Sequence, residues 1–220
     1  MIPGKCKNVL FDLDGTLADT APDLAYALNT LLTEQGRSPL PLAVIKPSVS
    51  LGGIAMITLA FKIDQNNSEF EQLKKRFLEI YRANIAKHTR LFDGMEAILS
   101  TLESKKLPWG VVTNKASWLT QPLMQELELS ERTNCIVSGD TLEVSKPHPA
   151  PLLHACELLQ CKPEDTLYVG DAERDIEAGN SATMTTLIAS YGYIDENTDT
   201  DKWQANGKIN SPLEILNWII

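Results

Sequence analysis

The stretch "VLFDLDGTLADT", residues 9–20, decides the fold. A short apolar, β-prone run that ends on two acidic residues suits a buried strand delivering Asp12 and Asp14 at its end. Side chains alternate along a strand, so the two carboxylates start on the same side, and Gly15 then lets the backbone turn sharply. The pattern changes after that turn. Thr20 is placed to N-cap a helix with Pro22 and Asp23 in its first turn, and Leu24, Leu28, Leu31 and Leu32 form one apolar face ending at Gly36. "RSPLPLAVIKP", residues 37–47, reads as a Pro-rich joint. A short helix follows from Gly53 to Phe61, and Ser68 with Glu71 forms a capping box for a long helix carrying Leu73, Phe77, Ile80 and Tyr81 at helical spacing.

From residue 91 onward strands and helices alternate. Asp93 and Glu96 box a helix reaching about Lys105. Strand signals recur at "PWGVVTNK" (108–115), "CIVSGD" (135–140), "TLYVGD" (166–171) and "TTLIAS" (185–190), with helical runs between them. "SPLEILNWII" offers Ser211, Pro212 and Glu214 as the start of a closing helix. Alternation of this kind predicts an α/β fold: a doubly wound, Rossmann-like parallel sheet, interrupted after its first strand by an inserted helical cap. The expected organisation is a core of residues 1–15 and 91–220 and a cap of residues 16–90.

Composition restricts function. An apolar fraction of 43% and a charged fraction of 22% over 220 residues are those of a globular chain with a sizeable core. A net charge of −9 argues against nucleic acid or an anionic membrane as partner. No run approaches the roughly 18 apolar residues of a membrane span, and "MIPGKCKNV" has no secretory pattern, so the cytoplasm is the expected location. The cysteines form no CxxC pair, which leaves reduced thiols as the expectation for Cys6, Cys135, Cys156 and Cys161.

In an open parallel sheet, functional groups gather at the carboxyl ends of the strands. Here those ends carry Asp12 and Asp14, then Thr113 and Asn114, then Asp140, then Asp171 with Asp175, while Lys146 stands in the loop "VSKPHPAP". Carboxylates converging in one place repel unless a cation joins them. Oxygen-only donors without a histidine cluster select Mg²⁺, which completes its shell with water and phosphate oxygen. A phosphoryl group is therefore the expected ligand. Asp140, between Gly139 and Thr141, reads as an acceptor that shapes its loop.

"FDLDGT", "VVTN", Lys146 before "PHP", and "VGDAERD" resemble the four ordered motifs of the haloacid dehalogenase superfamily. The resemblance implies that Asp12 is a nucleophile forming an aspartyl phosphate and that Asp14 protonates the leaving alcohol and then activates water. It implies that Thr113 and the Asn114 amide hold phosphoryl oxygens and that Lys146 neutralises Asp12 and the phosphate. Mg²⁺ would sit on Asp12, the Asp14 carbonyl and Asp171, with Asp175 either a ligand or a support. Within the superfamily, the presence of Asp14 favours phosphatases and phosphomutases over dehalogenases. The cap and the strings "SGDTLEVSKPHPAPLLHAC" and "LYVGDAERDIEAG" resemble the phosphoglycolate phosphatase branch, and "PWGVVTNK", the 138–156 string and "TLIASYGYI" resemble, more narrowly, the related N-acetylmuramic acid 6-phosphate phosphatases. One departure is "SATMTT", where Thr183 stands at a position at which that branch suggests glycine.

The implied activity is Mg²⁺-dependent hydrolysis of a small phosphorylated metabolite by a monomer or homodimer. The alternatives are a sugar phosphomutase and a catalytically silent phosphate-binding regulatory module. The cap loop "VSLGG", with Gly52 and Gly53, is the candidate substrate-facing element. A dinucleotide-binding oxidoreductase is set aside because no GxGxxG opens a helix after any strand.

Overall fold

The structure, a computed structural model, describes residues 5–220. Residues 1–4 of the expected core segment, which include part of the leader stretch judged above, lie outside the described residues. Strand β1 (Asn8–Phe11) is buried along its whole length because both sides of the sheet are covered. Its Val9 and Phe11 enter one apolar cluster and Leu10 enters the other, as a period of two requires.

Beyond β1 the chain makes a two-stranded antiparallel ribbon, β2 (Ala18–Asp19) with β3 (Arg90–Leu91). Between the legs of that ribbon lie four helices: α1 (Ala21–Glu34), α2 (Leu42–Val49), α3 (Gly53–Phe61) and α4 (Phe70–Ala83). Their apolar faces form a cluster that includes Leu28, Leu31, Phe70, Phe77 and Tyr81 and is joined by Leu119 and Tyr193 of the core. Leu24, Leu28, Leu31 and Leu32 all face inward, as the spacing predicts.

The remaining elements are α5 (Met95–Ser104), β4 (Trp109–Val112), α6 (Ser117–Glu126), β5 (Cys135–Val137), α7 (Ala150–Leu159), β6 (Thr166–Gly170), α8 (Glu173–Ser181), β7 (Thr185–Ala189) and β8 (Gly207–Ile209). All six strands of the main sheet pair in parallel, in the order β5-β4-β1-β6-β7-β8. The chain runs outward from β1 through β4 and β5, then returns to build β6, β7 and β8 on the other side. That reversal places a crevice at the carboxyl end of β1.

Several local expectations are corrected. The joint at residues 37–47 contains α2, with Pro47 in its last turn; an amphipathic pairing of Ile45 and Val49 with the cap core outweighs the proline content. The Ser68 and Asp93 boxes do not form, because α4 starts after Glu69 and α5 after Gly94, each without a side-chain cap. Thr20 does precede α1, but its hydroxyl is used at Asp14 instead of capping the helix. Strand β8 falls outside the predicted strand segments. The closing segment Pro212–Asn217 is a 3₁₀ helix rather than an α-helix, with Ser211 Oγ accepting from the Leu213 N–H. All four cysteines are free thiols, in keeping with the expectation.

Candidate active site

Asp12 leaves the end of β1 with its carboxylate 3% exposed. Its Oδ1 accepts from the Leu13 N–H at 2.8 Å and from Lys146 Nζ at 2.9 Å. Oδ2 has no hydrogen-bond partner among the described residues. Lys146 reaches this point from the loop after β5 with no exposed side-chain surface, and its ammonium also meets Asp175 Oδ1 at 2.7 Å, the Val112 carbonyl at 2.9 Å and the Tyr168 hydroxyl at 2.7 Å. Burial works against its charge, but Asp12 and Asp175 together hold its pKa above the usual lysine value.

Asn114 fixes that lysine's main chain. Its side-chain nitrogen donates to the Lys146 carbonyl at 2.8 Å, and its oxygen accepts the Lys146 N–H at 3.0 Å. The side chain therefore builds the loop, and the main-chain N–H, the group the resemblance assigns to phosphate, is not used in that contact. Thr113 is buried beside it, and both line the cavity described below. Asp140 accepts from the Ser117 N–H at 2.8 Å and from its hydroxyl at 2.9 Å, the loop-shaping part read from the sequence.

Asp171 follows β6. Its Oδ2 accepts from the Tyr193 N–H at 2.9 Å and from Ser50 Oγ at 2.7 Å, while Oδ1 lies 3.3 Å from Thr16 Oγ1. Gly15, at φ +84°, is required here, because a Cβ at that position would collide with the Asp171 carboxylate. Asp175 accepts the Ala172 N–H on Oδ2 at 3.0 Å and so ties down the first turn of α8. One oxygen each of Asp12, Asp171 and Asp175 lie within 4.8 Å of one another, all three residues buried. Burial first, then Asp12 and Asp175, pushes the Asp171 pKa up to about 7. Burial likewise raises Asp175, against the pull of Lys146. Crowded, desolvated oxygen donors of this kind fit a hard divalent cation, which would relieve their repulsion.

Asp14 does not join that cluster. The strand ends at Phe11 and the chain turns at Gly15, so the alternation that put the two carboxylates on one side no longer holds. Its Oδ1 accepts from Thr20 Oγ1 at 2.6 Å, and Lys115 Nζ lies 2.9 and 3.2 Å from its two oxygens. Lys115 also stands 4.7 Å from the centroid of the Tyr81 ring, which the cap contributes. This lysine was missed as a site residue although it directly follows "VVTN". Ser50 and Arg174 were missed too, each inside a quoted motif, because a serine and an arginine in a loop carry no spacing signal.

A cavity of about 320 Å³ lies between cap and sheet. Its floor includes Asp12, Asp14, Thr113 and Asn114, and its roof includes Gly52, Gly53 and Met56. Gly52 precedes α3 at φ +85°, a conformation suited to glycine. Gly52 and Gly53, the pair expected to face a substrate, both line this cavity.

Residues 9–189 match the family described as haloacid dehalogenase-like hydrolase. The chain belongs to that family. Among relatives of this haloacid dehalogenase-like hydrolase, the N-acetylmuramic acid 6-phosphate phosphatase of Pseudomonas putida is 40% identical over 211 residues, covering 96% of this chain and 95% of its own. A phosphoglycolate phosphatase of Xylella fastidiosa is 38% identical over 206 residues, covering 94% and 90%. A crystal structure of a predicted phosphoglycolate phosphatase from Haemophilus somnus superposes with a TM-score of 0.86 at 26% identity, covering 97% of this chain and 98% of that one. The hydrolase shares its fold, including the parallel sheet, with that structure. No helix among its described residues is long and apolar enough to cross a membrane.

Proposed function

We propose that this hydrolase cleaves a small phosphomonoester with Mg²⁺ through an aspartyl phosphate on Asp12, its substrate being 2-phosphoglycolate or N-acetylmuramic acid 6-phosphate. The observation that carries the reading is the state of Asp12. One oxygen is held by Lys146 and the Leu13 N–H, and the other has no partner among the described residues and lies at the floor of the cavity between cap and sheet. A nucleophile needs that combination of fixed orientation and one uncommitted lone pair.

Asp12 Oδ2 forms a bond to phosphorus while the ester P–O bond breaks, and Asp14 gives its proton to the departing alkoxide. Asp14, now a carboxylate, takes a proton from water as the water oxygen attacks phosphorus; inorganic phosphate leaves and Asp12 is restored. Thr113 and the Asn114 N–H bind phosphoryl oxygens, and Lys146 offsets the charge gathered around Asp12. Asp12, Asp171 and the Asp14 carbonyl would hold Mg²⁺, which would supply charge neutralisation at the phosphoryl oxygens. Asp175, with both oxygens engaged by Lys146 and the Ala172 N–H, acts by holding that lysine and the α8 turn in place. Lys115 Nζ, 2.9 Å from Asp14, holds that side chain at the cavity floor and pairs with the carboxylate it becomes once its proton has gone to the alkoxide.

The roof of the cavity is apolar, from Leu24, Val49, Met56 and Phe77, so bulk water is excluded when a substrate fills it. Three cations, Lys74, Lys115 and Arg174, also line it. Both candidate esters carry a carboxylate besides the phosphoryl group, and these cations suit a second anionic group.

The test is phosphate release from the two esters and from a set of hexose phosphates, compared by kcat/KM with Mg²⁺ and with a chelator. Release from at least one carboxylate-bearing ester, lost on chelation, is expected. Conversion of a hexose phosphate to its isomer without release would instead identify a mutase, and binding without turnover a regulatory module.

A further inference from the structure

We propose that Ser50, on the cap, is a positioning residue for Asp171, so that cap closure and metal affinity are coupled. The inference rests on the reading of Asp171 as a metal ligand.

Ser50 follows α2 and is 6% exposed. Its hydroxyl donates at 2.7 Å to Asp171 Oδ2, the oxygen that already accepts the Tyr193 N–H at 2.9 Å. Two donors saturate that oxygen and fix the plane of the carboxylate. Oδ1 meets only the Thr16 hydroxyl, at 3.3 Å among the described residues, and so remains for a cation. One of the two strong donors comes from the core and the other from the cap, so the carboxylate is fully oriented only when the cap is down.

A second contact grips the same residue. Arg174, in the first turn of α8, donates to the Ser50 carbonyl. The β6–α8 loop therefore holds Ser50 at its main chain and at its side chain, three residues apart on the core side. The apolar packing of α2 does not involve Ser50: the helix enters the cluster that cap helices share with Leu119 and Tyr193 of the core through Ile45 and Val49. A serine at this point, 121 positions from Asp171, reads as a link between the cap and the metal-binding carboxylates.

Partners that orient a metal ligand typically change metal affinity by about 10–100-fold when removed. Linkage is reciprocal: if the closed cap strengthens metal binding, bound metal must favour the closed cap by the same factor.

The experiment measures Mn²⁺ affinity by titration of the free-ion electron paramagnetic resonance signal, and main-chain hydrogen exchange across residues 47–53, in three full-length proteins. These are the wild type, Ser50→Ala and Ser50→Thr. Ser50→Ala should bind Mn²⁺ about tenfold more weakly, while Ser50→Thr, which keeps the hydroxyl, should stay within about threefold of wild type. Mn²⁺ should slow exchange across 47–53 in the wild type and in Ser50→Thr, and not in Ser50→Ala. Affinity in Ser50→Ala within about twofold of wild type, or equal metal-induced protection in all three, overturns the coupling. A wild type that binds no Mn²⁺ overturns the metal reading and this inference with it, whereas normal binding in both wild type and Ser50→Ala overturns the inference alone.

Discussion

Lys146 is the residue on which the site balances. It is fully buried and meets two carboxylates, a carbonyl and a phenol oxygen. Lys146→Met would leave Asp12 and Asp175 buried without their counter-charge, so stability should fall by roughly 3–5 kcal/mol. Urea unfolding at pH 7.5 checks this, and a loss below about 1 kcal/mol would contradict the view that the lysine is the main compensation in the cluster. Asp171 gives a pH dependence. Its folded-state pKa is raised to about 7, so the folded metal-free protein binds a proton there that the unfolded chain has already lost. Stability from this group is therefore greatest at low pH and declines as pH rises toward about 7. Mg²⁺ reverses the sign, because it binds the carboxylate form. The rise in Tm on adding Mg²⁺ should be larger at pH 8 than at pH 5.5, and an equal rise at both would count against Asp171 as a ligand. At this scale the sequence was informative where a motif orders several residues: Asp12, Lys146, Asp171 and Asp175 do come together. It was silent on Ser50, Lys115 and Arg174, whose parts depend on which loop faces them across the cavity.

Among the elements, the turn between α8 and β7 shows how a local departure is tolerated. Thr183 takes φ +62°, the left-handed conformation that the sequence comparison with glycine foreshadows and that a β-branched side chain disfavours. Left-handed backbone costs an L-residue roughly 1–2 kcal/mol, and the extra freedom of an unfolded glycine returns about 0.5–1 kcal/mol of that. Thr183→Gly should thus raise stability by about 0.5–1 kcal/mol and Tm by roughly 1–4 °C without changing activity. A lower Tm in a thermal melt would show that the threonine makes compensating contacts. Strands β1, β4, β6 and β7 were legible because continuous apolar runs ended on polar groups. β8 was not, since Gly207–Ile209 is three residues long and owes its place to pairing with β7. The two capping boxes failed for a similar reason: the residue pattern was present, but the chain entered each helix one residue later than the pattern suggests.

For the whole molecule, the insertion after β1 determines what the strand-end chemistry can reach. The four cap helices bury their apolar faces together with Leu119 and Tyr193 of the core and connect to the sheet through the β2–β3 ribbon, so the cavity lies where the two parts meet. The sheet fixes Asp12, Thr113 and Asp171 relative to one another, and the cap supplies the apolar roof and the Ser50 contact. On the proposed reading substrate size would be set between them, and for that reason the sequence could suggest a phosphoryl group before it could suggest an ester. The most direct test of the central claim, that Asp12 is the nucleophile, is phosphate release in Mg²⁺ by the wild type and by Asp12→Asn, with both confirmed as folded by circular dichroism. Removing a covalent nucleophile should lower kcat by at least about 10³-fold while the variant remains folded. Turnover by Asp12→Asn within about tenfold of the wild type would contradict the account.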